Sequence, residues 1–390
     1  MAKAKKSPDF SYSDSSDSWD SVLPLKLLEW YDACGRNLPW RTRGVHPNPY
    51  FVWVSEIMLQ QTTVKTVIPY FHRFLEKFPN IKSLANADIE DVLFMWQGLG
   101  YYTRAKKMHE CAQYLVKNNG GVFPGTYDGL LKLPGIGPYT AASISSLAFD
   151  QPKAVVDGNV IRVISRLYGI RESTAESLPT VTKNAQFLMP TTRAADYTSA
   201  IMDLGATVCT PKNPLCKSCP FSKYCIALKE NTINEIPKII KLQKVKKSGI
   251  LYWIENENGA VYIQKRTEKG LLSGLTEFPW YAKEESESYD AKEKTDSYES
   301  VKKYFPIRSD WENTGKSVKH VFTHIVLHLN IYKTKINDAD FLEQFKDGEF
   351  VLPENFKDYP FSTLMKKVIH EMGKRNKTEK LQKTKDLTQF

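Results

Sequence analysis

No stretch of this sequence approaches the 18 or more consecutive apolar residues that cross a bilayer as a helix. The opening residues MAKAKKSPDFSYSDSSDS also lack the apolar centre of a secretory signal. These absences set aside a helical membrane protein and a secreted one. The expectation is an intracellular chain with no membrane partner, cytoplasmic, and nucleoid-associated if bacterial. No internal repeat is visible, which sets aside a repeat architecture. Cysteine is scarce, six in 390 residues, with a single Cys-x-x-Cys pair among them. Inside a cell such cysteines are thiols or metal ligands, not a disulfide framework.

What is present is positive charge and enough apolar mass for more than one core. Lys and Arg number 54 against 44 Asp and Glu, a formal net charge of +10 that favours a polyanionic partner such as nucleic acid. A chain of 390 residues, 42% hydrophobic, is long enough for two cored domains. Residues 1–19 are a polar, Ser- and Asp-rich tail expected to be disordered. Residues 20–230 carry amphipathic helical patterns such as VLPLKLLEWYDAC and VIRVISRLYGI, punctuated by Pro and Gly, and predict an all-helical domain. Residues 231–247 form a basic linker without a clear apolar face. Across 248–368 the segments GILYWIE, AVYIQKR and VFTHIVLHLNIYKT are short, aromatic and β-branched, and predict strands of a second, α+β domain. Inside it, residues 284–299 hold seven acidic residues against Lys292 and Lys294 and read as a solvated insertion. Residues 369–390 are a basic tail, a solvated helix or disordered end with weak attraction for DNA as the alternative.

Two short motifs stand out in the helical part. LKLPGIGPYTAASI (131–144) sets Gly135 and Gly137 around one isoleucine, before Pro138 and an apolar run. Glycines there let the backbone turn tightly with its N–H groups outward as a helix begins, and such a turn can grip an anion. A ligand-free helix–helix connection is the alternative for a lone Gly-x-Gly. CTPKNPLCKSCPFSKYC spaces Cys209, Cys216, Cys219 and Cys225 as C-x6-C-x2-C-x5-C. Four thiolates this close can enclose one compact metal centre. Structural zinc sites usually pair two short-spaced knuckles, and only one is present, so the spacing favours an iron-sulfur cluster over zinc. Cys34 and Cys111 sit in helical patterns and read as core thiols.

Taken in order, LPGIGPYTA, VVDGNVIRV and the four-cysteine run resemble the helix-hairpin-helix DNA glycosylase superfamily in its iron-sulfur branch, which includes endonuclease III and the MutY-type adenine glycosylases. LPWR (38–41), WVSEIMLQQT (53–62) and MWQGLGYYTRAKKMH (95–109) are similar to the MutY type, and the resemblance runs from about residue 22 to 365. It implies an all-α helix-hairpin-helix glycosylase domain with a 4Fe-4S cluster loop at 209–225, followed by an α+β Nudix-like domain. It also implies base excision repair of double-stranded DNA holding an A:8-oxoG or A:G mispair, by a monomer that removes the adenine.

The residues themselves can support that chemistry. Breaking an N-glycosidic bond needs a proton for the leaving base and a negative charge beside the sugar as it becomes cationic. Glu56 is one acid amid Val52, Trp53, Val54, Ile57, Met58 and Leu59, surroundings that raise a carboxyl's pKa and suit a general acid. An acid on the wet face of an amphipathic helix is the ordinary case, and the resemblance assigns the functional one. Asp157 follows KAVV and precedes Gly158 and Asn159, where it can cap a helix. By resemblance it is also the carboxylate that faces the sugar, with Asn159 positioning substrate or water. Where the endonuclease III branch carries a lysine that forms a Schiff base, this chain has Tyr139. A phenol cannot form an imine, and the resemblance implies that it donates to Asp157. An aromatic packed at a helix start is the alternative.

Flipping a base leaves a gap in the stack. Gln60, Gln61 and Tyr101 match MutY-type positions near the minor groove, with Gln61 and Tyr101 as wedges; helix-surface amides and a core tyrosine are the plainer readings. Leu59, Arg41 and Ser199 are candidates for base recognition, although Ser199 stands where a longer acid or amide is expected and contact there can run through water. GLLSGLTEFPW (270–280) resembles the start of a Nudix fold, but the glutamate-rich REx2EExG helix of the hydrolases is missing, which points to a recognition module. Phe322, Thr323 and His324 stand where the MutY type has the Phe-Ser-His that reads 8-oxoguanine. Two rivals remain: a bifunctional pyrimidine glycosylase-lyase, opposed by Tyr139, and a non-enzymatic DNA-binding protein, opposed by the pairing of Glu56 with Asp157.

Overall fold

The computed structural model describes residues 19–42, 47–240, 243–267, 270–282, 302–337 and 348–374. The N-terminal tail before residue 19, the acidic stretch 284–299 and the basic tail beyond residue 374 lie outside the described residues. The first part is helical, with α1 (Trp19–Cys34), α2 (Pro49–Leu59), α3 (Val64–Lys77), α4 (Ile81–Ala85), α5 (Ile89–Met95), α6 (Thr103–Asn119), α7 (Tyr127–Leu131), α8 (Pro138–Phe149), α9 (Gly158–Leu167), α10 (Thr174–Phe187), α11 (Ala194–Thr207) and α12 (Ile226–Lys229). The second holds strands β1 (Val245–Asn256), β2 (Val261–Lys265), β3 (Thr276–Glu277), β4 (Trp280–Ala282), β5 (Glu312–Val321), β6 (Ile325–Ile336) and β7 (Gly348–Val351), then helix α13 (Thr363–Gly373).

The chain divides into two compact units: residues 1–68 with 114–240, and residues 69–113 with 241–390. In the first, α1, α9 and α11 bury their apolar faces together through Leu23, Leu27, Val163, Ile164, Ile201 and Leu204. α9 has the i, i+3, i+4 spacing of one apolar stripe. α2 is different, since Tyr50 and every residue from Val52 to Met58 are buried and no wet face is left. Asn48 starts α2 by accepting the Tyr50 N–H at 2.9 Å, with Pro49 at the first helical position. The glycine turn does open a helix: Gly135 takes φ +72°, where L side chains are strained, and Gly137 and Pro138 begin α8.

In the second unit, the sheet runs β3-β2-β1-β6-β5, with β4 also paired to β1 and β7 to β2. β1 and β6 are parallel over their full length, from Val245↔Ile325 to Asn256↔Ile336, and β5 returns antiparallel on β6. Alternation along β1 sends Leu251 and Trp253 to one core, with Phe278 and with Leu364, Met365 and Val368 of α13. It sends Ile250, Tyr252 and Ile254 to another, with Trp311 and Tyr332. β1 starts at Val245, inside the stretch read from sequence as linker, because its parallel partner draws in residues that show no apolar pattern and the Val245 N–H donates to the His324 carbonyl at 2.8 Å.

The units also cut across the sequence halves. Helical residues 69–113 group with the sheet, and specific bonds join the two: the Gln97 side-chain amide donates to the carbonyls of Tyr359 and Phe361, and Lys265 pairs with Glu90 at 2.6 Å. A helical period in sequence does not say which core a helix joins.

Candidate active site

Glu56 sits on a helix that has no outside. It is 4% exposed, and burial pushes its carboxyl pKa up, with the Asp157 charge adding to the shift. Tyr139 and Ser143 on α8 and the Arg41 charge act against it. The Tyr139 hydroxyl donates to Glu56 Oε2 at 2.9 Å. Ser143 lies one turn beyond Tyr139 on α8; its buried hydroxyl favours the charged forms of both partners without closing a well-formed hydrogen bond.

This corrects the expectation that Tyr139 donates to Asp157. α8 packs on α2, so the phenol faces Glu56. Both Asp157 oxygens already have donors: Oδ1 accepts the Val160 N–H at 2.7 Å as the cap of α9, and Oδ2 accepts the Asn159 amide at 2.8 Å. Tyr139 still feels both carboxylates. Burial first, then the Glu56 and Asp157 charges, hold its pKa well above the ordinary tyrosine value, and it stays a neutral donor.

Glu56, Tyr139, Asp157 and Asn159 line one cleft of about 930 Å³, whose wall also includes Leu59 and Ser199. Arg41 lines it too, but both oxygens of Asp203 accept its Nη1 at 2.9 Å, and the Arg36 side chain and N–H bond the same carboxylate. Arg41 is therefore anchored as cleft wall and reaches Glu56 through its charge. Ser199 is buried at the cleft. The Gln60 amide donates to the Thr140 hydroxyl at 3.3 Å, whereas Gln61 is exposed with φ +58°, a left-handed backbone that a glutamine adopts only under constraint.

Tyr101, in the second unit, shares that peculiarity: its φ is +49°, and it is 44% exposed. Its hydroxyl meets that of Thr323, and the Arg104 guanidinium stacks 5.6 Å from its ring centroid. Thr323 and His324 are exposed in the turn between β5 and β6, which the Phe322 N–H closes by donating to the Ile325 carbonyl at 2.7 Å. Phe322 turns the other way. It packs on the core that includes α13 and against the His320 ring at 4.5 Å, so it supports the turn.

Cys209, Cys216, Cys219 and Cys225 are brought together behind α9. All four are free thiols. Burial first, and the neighbouring cysteines among the further causes, push the Cys216 and Cys225 thiols up and that of Cys219 to about 12. Among the described residues no three or more His, Cys, Asp or Glu close to single-ion distances. Four thiols in one loop-rich segment are a donor set that a metal centre can use. Arg166 donates to Cys209 Sγ at 3.4 Å and to the Thr210 carbonyl at 2.8 Å, the charge-assisted contacts that such a centre uses. A hydrogen-bonded line leads from there to the cleft. Arg162 holds the Cys209 carbonyl at 2.7 Å and Asn159 Oδ1 at 2.9 Å, and Asn159 holds Asp157.

Residues 54–185 match the HhH-GPD superfamily of base excision DNA repair proteins, and residues 250–371 match the NUDIX domain. The adenine DNA glycosylase of Mus musculus is 33% identical over 98% of this chain and 84% of its own length. That of Buchnera aphidicola subsp. Schizaphis graminum is 37% identical over 79% of this chain and 86% of its own. The chain belongs to the adenine DNA glycosylase family. A solved thermostable thymine-DNA glycosylase aligns with 54% of this chain and 97% of its own, at 28% identity and a TM-score of 0.49. As a family member the chain is a DNA-binding base excision repair enzyme with a helical glycosylase part and a Nudix-like part.

Sequence reasoning about this adenine glycosylase missed Asp203, Ser143 and Arg162. Asp203 carried a usable signal, a lone acid in the apolar helical run SAIMDLGA, the same signal that marked Glu56. Ser143 and Arg162 carried none.

Two outcomes follow from the buried charges. A Glu with a raised folded pKa contributes stability below its unfolded value and loses it as pH rises through the folded one, so Glu56→Gln should gain in Tm over wild type, by a growing margin from pH 5 to pH 8. A margin that stays constant across that range in calorimetry rejects the buried-acid assignment. Asp203→Asn leaves two arginines without their shared carboxylate and should cost about 3–5 kcal/mol in denaturant unfolding. A loss under about 1 kcal/mol, the level of a surface pair, means the anchor is not structural.

Proposed function

We propose that this chain binds duplex DNA holding adenine opposite 8-oxoguanine or guanine, and hydrolyses the N-glycosidic bond of the adenine. Glu56 gives its proton to a ring nitrogen of the flipped base. The bond to the sugar then breaks with its electron pair on adenine, and Asp157 stabilises the cationic sugar, by charge or by a transient bond. Water adds at the same carbon and loses a proton, leaving free adenine and an abasic site. The observation behind this reading is the pairing, in one cleft, of a buried carboxyl with raised pKa and a helix-capping carboxylate whose oxygens are held in place. Tyr139 replaces the imine-forming amine and keeps Glu56 oriented, consistent with base removal alone.

Gln61 and Tyr101 serve as the wedges, their left-handed backbones carrying exposed side chains. The Gly135–Gly137 turn grips a backbone phosphate at the start of α8. Thr323 and His324 read 8-oxoguanine, with Phe322 as their support. Cys209, Cys216, Cys219 and Cys225 hold a 4Fe-4S cluster, which when bound crosslinks the loop beside α9; no step of base removal runs through it.

Single-turnover assays on duplexes carrying adenine opposite 8-oxoguanine test the chemistry. Glu56→Gln and Asp157→Asn should each lower the rate at least a hundredfold while DNA affinity holds. Near wild-type rates in a folded variant remove that residue from its role. Borohydride should trap no efficient adduct on the wild type; a strong adduct would point to lyase chemistry, with Lys65, exposed at the cleft, as the first amine to replace. Anaerobically purified protein should be brown, with about four iron and four sulfide per chain. Colourless protein with stoichiometric zinc defeats the cluster assignment.

A further inference from the structure

The segment from Trp96 to Arg104 presents Tyr101, and almost every polar group along it is tied down. The Trp96 indole donates to the Gly100 carbonyl at 3.1 Å, the Tyr70 hydroxyl to the Gln97 carbonyl at 2.9 Å, and the Gly98 N–H to the Tyr102 hydroxyl at 3.2 Å. Arg104 holds the carbonyls of Leu99 and Gly100 and stacks on both Trp96 and Tyr101. Gly98, Gly100 and Tyr101 all take positive φ, so the loop is wound tightly and its tyrosine is strained. Strain of this kind persists only where surrounding contacts over-determine it.

Most of those contacts are local, made between residues 70 and 104. Two are not. At the tip, Tyr101 meets Thr323 of the turn between β5 and β6. At the base, Gln97 Nε2 donates to the Tyr359 carbonyl at 3.0 Å and to the Phe361 carbonyl at 3.1 Å, more than 260 residues away in the chain. Phe361 is fully buried, stacked on Phe278 at 5.2 Å in the same core that receives Phe322. The loop that bears Tyr101 is thus fastened at both ends to the body that bears Thr323 and His324.

We propose that Gln97 is a specificity-determining positioning residue, whose amide docks the Tyr101 loop on the carbonyls of residues 359 and 361 and so holds the tyrosine in register with the Thr323–His324 turn. This rests on the proposed roles of Tyr101 and that turn. It adds that discrimination between the two mispairs depends on a side chain that touches neither base. Both amide protons are committed, so the site wants a donor there; a carboxylate of equal shape would face two carbonyl oxygens.

The test uses full-length protein with Gln97→Glu, which keeps shape and removes the donors, and Gln97→Lys, which restores donors. Single-turnover excision is measured on A:8-oxoG and A:G duplexes, with hydrogen exchange of residues 96–104 in DNA-free protein. Gln97→Glu should speed exchange across the loop and cut the ratio of excision efficiencies between the two mispairs roughly three- to tenfold, the scale of one or two lost hydrogen bonds. The loss should lie in apparent affinity more than in the saturated rate, and Gln97→Lys should recover most of both readouts. Unchanged exchange and an unchanged ratio in Gln97→Glu overturn the proposal, as does a ratio that Gln97→Lys fails to restore. If wild type releases no adenine from either duplex, the functional reading falls instead, and the clamp is then judged on exchange alone.

Discussion

An ionisable carboxyl on a helix with no wet face is the constraint around which the cleft is arranged. Burying Glu56 in α2 favours its neutral form, and a neutral carboxyl is what an acid catalyst must be near neutral pH. The surroundings then limit that tendency without abolishing it. Tyr139 and the Arg41 charge favour the anion, Asp157 opposes it, and Arg41 can stand near Glu56 because Asp203 neutralises it from the other side. Two buried carboxylates in one unit are therefore handled in opposite ways: Asp203 is saturated with guanidinium donors, and Glu56 is left a single phenol. The first is architecture, and the second is left for the chemistry proposed above.

Asp157 shows how one residue meets both demands. Its Oδ1 caps α9 and its Oδ2 is held by Asn159, so the carboxylate is oriented before any substrate arrives. Asn159 is in turn held by Arg162, which grips the Cys209 carbonyl, while Arg166 one turn on reaches Cys209 Sγ. The cysteine loop and the Asp157 carboxylate are thus two ends of one short hydrogen-bonded line along α9.

How legible was this in the sequence? Glu56, Asp157 and the four cysteines stood out because each is a chemical exception to its local pattern: an acid in an apolar run, a capping acid before Gly-Asn, thiols at ligand spacing; the resemblance supplied the roles given to Glu56, Asp157 and Asn159. Where the partner lay across the fold, reading failed. Tyr139 was assigned to the wrong carboxylate because sequence shows that a phenol is near the site, not which helix it faces. Phe322 was grouped with Thr323 and His324 as a reader, and only its packing on the core and against the His320 ring shows that it supports the turn. Gln97 looked like any polar loop residue; its role comes from two backbone carbonyls, which have no signature in sequence.

What the sequence determined by itself is periodicity and chemical inventory: a helical part, a β-rich part, two glycines before a helix, two carboxyls and four thiols. Those properties are local, set by turns, caps and side-chain type within a few residues. Only the tertiary structure decided that helical residues 69–113 share a compact unit with the sheet, that α2 is buried on every side, that Tyr139 pairs with Glu56, and that Tyr101 is fastened beside Thr323. Each is a statement about what lies opposite a side chain, and what lies opposite is set by how the elements pack.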